Sequence, residues 1–211
     1  MPPARVRAIE LASVVEGPEP GSGECEVLVA LEDGRASRFA VATPDRPGLW
    51  MSESGQDSVF RLPVLYVARF DDALVCEAVK TMAADLGGYW LRYYNAVAAP
   101  PPKPVELAAA SVRDVEGPLE KCCAVFEVML KDARQFSILA ATPDWFAGAM
   151  AALKLKCYFG SQVLFMRKAD EGTAKRAAKR MAEAGERWLC LYDTPRTTLP
   201  KVLEAFKAKH P

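Results

Sequence analysis

The sequence predicts an α+β fold built by internal tandem duplication, each copy an antiparallel β-sheet of about four to five strands with a principal amphipathic helix on one face. Three observations predict it. The run Phe39-Ala40-Val41-Ala42-Thr43-Pro44-Asp45 returns 99 positions later as Ile138-Leu139-Ala140-Ala141-Thr142-Pro143-Asp144. Further matches keep the same order: Val15-Glu16-Gly17-Pro18 with Val115-Glu116-Gly117-Pro118, Val64-Leu65-Tyr66-Val67 with Val163-Leu164-Phe165-Met166, and Trp90-Leu91 with Trp188-Leu189. In both halves, strand-type alternation comes first and one helical pattern follows. The expected organisation is a first repeat over 1–97, a proline-rich linker over 98–104, a second repeat over 105–193 and a helical tail over 194–211.

Residues 5–15 alternate polar and apolar, the period of a half-buried strand, and the Gly17-to-Gly23 stretch ends it as a turn. Residues 24–32 alternate again, and Asp33-Gly34 signals a hairpin into a third strand over 36–42. Thr-Pro-Asp then fits a helix start: threonine as cap, proline in the first turn, an acid facing the helix dipole. A helix from Trp145 to about Leu153 is expected in the second copy, whereas Pro47-Gly48 predicts a short or irregular segment in the first. A strand over 62–67 precedes a helix opened by Asp71-Asp72, with Val75, Ala78, Val79, Met82 and Leu86 on one face and Gly87-Gly88 as its stop. Tyr89 to Asn95 is expected as a last strand, which would turn Tyr93 and Tyr94 to opposite faces and leave one of them for a seam or a partner. Beyond the second repeat, Leu199 to Phe206 reads as a short helix.

At 51% hydrophobic and 26% charged residues, the chain can form a core without disulfides or metals. Six cysteines at 25, 76, 122, 123, 157 and 190 form no C-x-x-C pair and are expected as free, mostly buried thiols. No window suggests a membrane span and the N-terminus lacks a signal-peptide core, so the expected address is the cytoplasm. Net charge is zero, yet residues 1–104 carry 10 Lys+Arg against 14 Asp+Glu and the rest 17 against 13, or −4 and +4. Opposite signs suit two copies pairing as a pseudo-dimer within one chain.

The only histidine is His210, poorly placed for a Ser-His-Asp, Cys-His or histidine-metal mechanism. No phosphate-binding glycine loop occurs, and no cofactor or metal is expected. Adjacent acids at Asp71-Asp72 suit a helix dipole better than acid–base work. One helix differs informatively between the halves. Ala174, Ala177, Ala178, Met181 and Ala182 share one face of the second helix, and Lys175, Arg176, Lys179 and Arg180 the other, where the first copy has Cys76, Glu77, Lys80 and Thr81. That stripe, with Tyr93 and Tyr94, is the candidate partner surface, and an acidic protein is the partner it suits. Nucleic acid fits poorly, since one stripe on a neutral chain neutralises few phosphates. The expected function is therefore a non-catalytic protein-binding molecule of the inhibitor or immunity type. The alternatives are a small-ligand binder or sensor with a pocket between the repeats, and a histidine-independent enzyme.

Overall fold

The structure, a computed structural model, describes residues 4–94, 104–160 and 162–193. Among these it is a mixed α+β fold with two five-stranded sheets and six α-helices. Two units result, and they do not divide the sequence at a single point. Unit 1 contains residues 4–46, 61–94 and 154–160; unit 2 contains 47–60, 104–153 and 162–193.

With elements numbered along the chain, the sheet of unit 1 runs β1 (Val6–Glu16), β2 (Gly23–Leu31), β3 (Ala36–Ala42), β5 (Val64–Val67), β9 (Cys157–Tyr158), in that spatial order. Helix α2 (Asp72–Ala84) is capped by Asp71, whose carboxylate accepts from the Leu74 N–H at 2.9 Å. Val75, Ala78, Val79, Met82 and Ala83 of α2 share one apolar cluster with Cys25, Val27, Val29 and Leu31, the alternate residues of β2. A 3₁₀ turn (Asp85–Gly88) and helix α3 (Tyr89–Tyr94) follow.

Unit 2 has the sheet order β6 (Leu107–Glu116), β7 (Cys123–Leu130), β8 (Gln135–Ala141), β10 (Leu164–Met166), β4 (Ser58–Val59). Helix α5 (Glu171–Ala184), capped by Asp170, buries the face that sequence spacing assigns to its core side. Helix α4 (Pro143–Ala152) and helix α6 (Glu186–Tyr192) complete the unit, together with residues 47–54 of α1 (Arg46–Ser54). The two cores trade volume between layers. Val75 and Val79 stand on α2 where α5 has Ala174 and Ala178, and Val27 stands on β2 where β7 has Phe126. A smaller helix residue opposite a larger sheet residue keeps the interior filled.

Three expectations are corrected. The sheets are not purely antiparallel: β3 pairs parallel with β5, and β8 with β10. A helix intervenes in each connection, so the chain returns in its original direction. Residues 89–94 form a helix, not a strand; Leu91 and Tyr94 fall on one side of it and are buried. The segment at Pro47-Gly48 is a regular helix of 9 residues against 10 for α4. Pro47 lies in its first turn, where a missing N–H removes no intrahelical bond. The predicted helix at 199–206, His210 and linker residues 98–103 lie outside the described residues.

The terminal strands are reciprocal. Residues 154–160 follow the Thr142-Pro143-Asp144 half in sequence yet supply β9 to unit 1, antiparallel to β5 through Tyr66–Tyr158 and Val67–Cys157. Residues 47–60 supply β4 to unit 2, antiparallel to β10 through Phe165–Val59 and Met166–Ser58. Each sheet is thus closed by a strand from the opposite half of the sequence.

Candidate functional site

The basic stripe on α5 is largely engaged by the strand segment of its own unit. The Arg176 guanidinium meets the Asp57 carboxylate at 2.5 Å. Arg180 donates to the Ser58 carbonyl at 2.7 Å and to the Ser58 hydroxyl and the Gln56 amide oxygen, lies 3.9 Å from Asp57, and stacks over the Phe60 ring. Burial lowers the Arg180 pKa from its ordinary value, because the charge is partly withdrawn from water. Lys175 and Lys179 point outward and lie 3.7 Å from Glu171 and 3.8 Å from Glu183, each one turn away. The outward face of α5 therefore carries cations alternating with anions, not a bare positive stripe.

The aromatic candidates part company. Tyr94 is buried, and its hydroxyl accepts from the Gly160 N–H at 3.2 Å. Tyr93 is half-buried, and burial pushes its phenol up to about 12. The exposed ring is Tyr89, stacked on Tyr93 at 6.3 Å, and Leu86, three residues earlier in the chain, is another exposed apolar residue. Sequence reading missed Tyr89 because a strand would have placed it with Tyr93 on a single face of a sheet.

The Thr-Pro-Asp runs do more than cap. Thr142 accepts from the Trp145 N–H as cap of α4 and also bridges both backbone groups of Cys122, accepting from its N–H at 3.1 Å and donating to its carbonyl at 3.4 Å. Thr43 caps no helix, yet bridges Gly23 in the same way at 2.9 and 3.1 Å. Both threonines are buried. Their shared task is to fasten the end of the third strand to the start of the second.

Beside Thr43 lies a polar group that the sequence did not single out. Arg46, 5% exposed, puts one guanidinium nitrogen 3.0 Å from a Glu24 carboxylate oxygen, and its Nε is buried without a hydrogen-bond partner. Arg61 approaches the other Glu24 oxygen at 3.8 Å, Arg38 approaches Glu26 at 3.5 Å, and Ser22 bonds to Asp45. Glu24, Glu26, Arg38 and Arg61 line an open cleft of about 480 Å³ in unit 1, walled by Phe39, Leu62, Pro63 and Tyr94. Ninety-nine positions on from Glu24, Arg46 and Arg61 stand Cys123, Trp145 and Gly160. Comparing the halves for charge against apolar residue, the comparison that exposed the α5 stripe, would have found this cluster too.

The Asp170 carboxylate is held down at about 2 because it accepts the Thr173 N–H and meets Lys168, both of which favour its charged form. Asp71 and Asp72 open α2, the first as its cap and the second in its first turn. Cys122 and Cys123 are fully buried, and burial raises the Cys122 thiol; the Cys25 thiol is pushed up to about 12 for the same reason. Among the described residues, no group of three His, Cys, Asp or Glu side chains could hold a metal ion, and no helix is long and apolar enough to cross a membrane. No protein family, characterised protein or solved structure matches the chain.

Proposed function

We propose that the chain is a non-catalytic protein-binding molecule made of two diverged copies of one unit, in sequence 1–97 and 105–193, with its partner seated at the cleft of unit 1. Support for the duplication is the recurrence of detail. Both sheets share a strand order, both first strands carry a left-handed residue (Ser13 at φ 51°, Asp114 at φ 48°) where the register shifts, and both threonine bridges recur. The observation that carries the functional reading is the Glu24–Arg46–Arg61 cluster. Its counterparts Cys123, Trp145 and Gly160 show that the shared architecture stands without it. An ion pair to the buried Arg46 adds little net stability, and its unpartnered buried nitrogen calls for an explanation other than packing.

Arg38 and Arg61 at the rim, over an apolar wall, suit an acidic side chain followed by an apolar one on a protein partner. The outward Lys175 and Lys179 of unit 2 form a second, separate surface for the same class of partner. A small organic acid is the other reading, favoured by the volume of about 480 Å³, which lies within the size range of small-molecule sites. The test is affinity capture at low salt with the wild type, R38A/R61A and K175E/K179E. Loss of a single partner with R38A/R61A alone is the expected result. A partner retained by folded R38A/R61A overturns the assignment to this cleft, and a thermal shift with small carboxylic acids but no captured protein selects the ligand reading.

A further inference from the structure

Two ion pairs occupy matching places in the two units with their charges reversed. In unit 1, Lys156 on the donated segment meets Glu77 on α2 at 3.1 Å. In unit 2, Asp57 on the donated segment meets Arg176 on α5 at 2.5 Å. The places correspond in three local respects. Glu77 and Arg176 each lie six residues after their helix cap, Asp71 and Asp170. The Ala68 N–H donates to the Lys156 carbonyl at 2.9 Å, and the Arg167 N–H to the Asp57 carbonyl at 2.8 Å. Three residues beyond each charge is a phenylalanine meeting the recipient's tryptophan edge-on: Phe159 against Trp90 at 5.9 Å, Phe60 against Trp188 at 5.1 Å.

We infer that the β5 edge with α2, and the β10 edge with α5, are acceptor sites for a short extended peptide of the pattern charged residue, two strand residues, phenylalanine, and that the sign at Glu77 or Arg176 decides which segment each accepts. Unit 1 takes the cationic segment Lys156-Cys157-Tyr158-Phe159, and unit 2 the anionic segment Asp57-Ser58-Val59-Phe60. The strand hydrogen bonds and the Phe–Trp contact recur in both sites, so they do not distinguish the segments; only the differing side chains do. If each half kept its own segment, Asp57 would face Glu77 and Lys156 would face Arg176, two like-charge contacts in place of two attractive ones. The reversed polarity thus rewards exchange and penalises self-closure, as paired charges do when they set partner choice in coiled coils. It also admits a second copy of this chain as donor, since that copy carries the same two segments.

Full-length variants test this in an Arg180→Thr background, which gives position 180 the residue found at Thr81 and removes the cation 3.9 Å from Asp57. The swapped variant is D57K/K156D, the neutral variant D57N/K156Q, and the restored variant adds E77R and R176E to the swap. Expected at low salt is a melting temperature for the swapped variant several degrees below the neutral one, recovery in the restored variant, and shrinkage of both differences in 1 M NaCl. The destination of the segment is read with S58C/M166C, since Ser58 and Met166 are cross-strand partners. Disulfide yield within one chain should fall in the swapped variant and return in the restored one. A disulfide yield equal in swapped and restored variants overturns the inference, and so does a swapped variant as stable as the neutral one in which the S58C/M166C bridge still forms within one chain.

Discussion

Segments 154–160 and 47–60 close their respective sheets in the same register, yet the two units grip them unequally. Unit 1 holds its segment by two strand residues, the Lys156–Glu77 pair, the Phe159–Trp90 contact and the Tyr94 hydroxyl on Gly160. Unit 2 adds Arg180 on Ser58 and Gln56, and Arg167 donating to the Met51 carbonyl at 3.2 Å. Across the third strand, at the same end of the sheet, the imbalance reverses: unit 1 has the charged Glu24 and Arg46, whereas unit 2 has Cys123 and Trp145 at the corresponding positions. What stays constant is backbone geometry, fixed by hydrogen bonds that tolerate no sign change. What varies is side-chain charge, which can be redistributed once the backbone is secured. Each unit is therefore the other's control experiment.

The largest effect should come from breaking the Glu24–Arg46 pair. Arg46→Met removes the buried partner of Glu24, which keeps only Arg61 at 3.8 Å, and should cost about 2 kcal/mol in a urea titration, while E24Q/R46M recovers part of it because the carboxylate charge is gone. A double variant no more stable than R46M would place the cost in lost packing instead. Next come the threonine bridges, where Thr43→Val and Thr142→Val should each cost about 1–2 kcal/mol, the loss falling on two buried backbone groups. Unequal costs would mean that the cap on α4, made by Thr142 alone, contributes separately. The smallest is a gain. Gly34 (φ 86°) and Ala133 (φ 69°) hold the same left-handed place in matching hairpins, each flanked by an Asp that clasps the next arginine. Ala133→Gly should raise stability by up to about 1 kcal/mol, and the hairpin that already has glycine offers no such gain.

Much of the fold was legible because it obeys periodicity. The alternation of β2, the helical face of α5 and the Asp71 cap are local patterns, and local patterns survive in sequence. Residues 89–94 were misread because a six-residue stretch with four aromatics suits either a strand or a helix, and only the burial of Leu91 with Tyr94 decides. The exchanged strands were illegible for a different reason. Two residues such as Ser58-Val59 carry no period at all, and their pairing with β10 rests on contacts more than a hundred residues away. For the candidate site, the α5 stripe was visible as composition, but the positions of Asp57 and Ser58 beside Arg176 and Arg180 were not. The Glu24 cluster was hidden because its members are scattered at 24, 46 and 61, and no single window contains them.

The reciprocal strands also set a timetable. During synthesis, β5 is complete at Val67, but its neighbour β9 does not exist until Tyr158 has been made. At ribosomal rates that is a wait of roughly 5–20 s. The usual order, in which an N-terminal unit finishes before the next begins, is closed to this chain. Its first sheet must leave the ribosome with one edge open, and it reaches its final form only when the second sheet is nearly built.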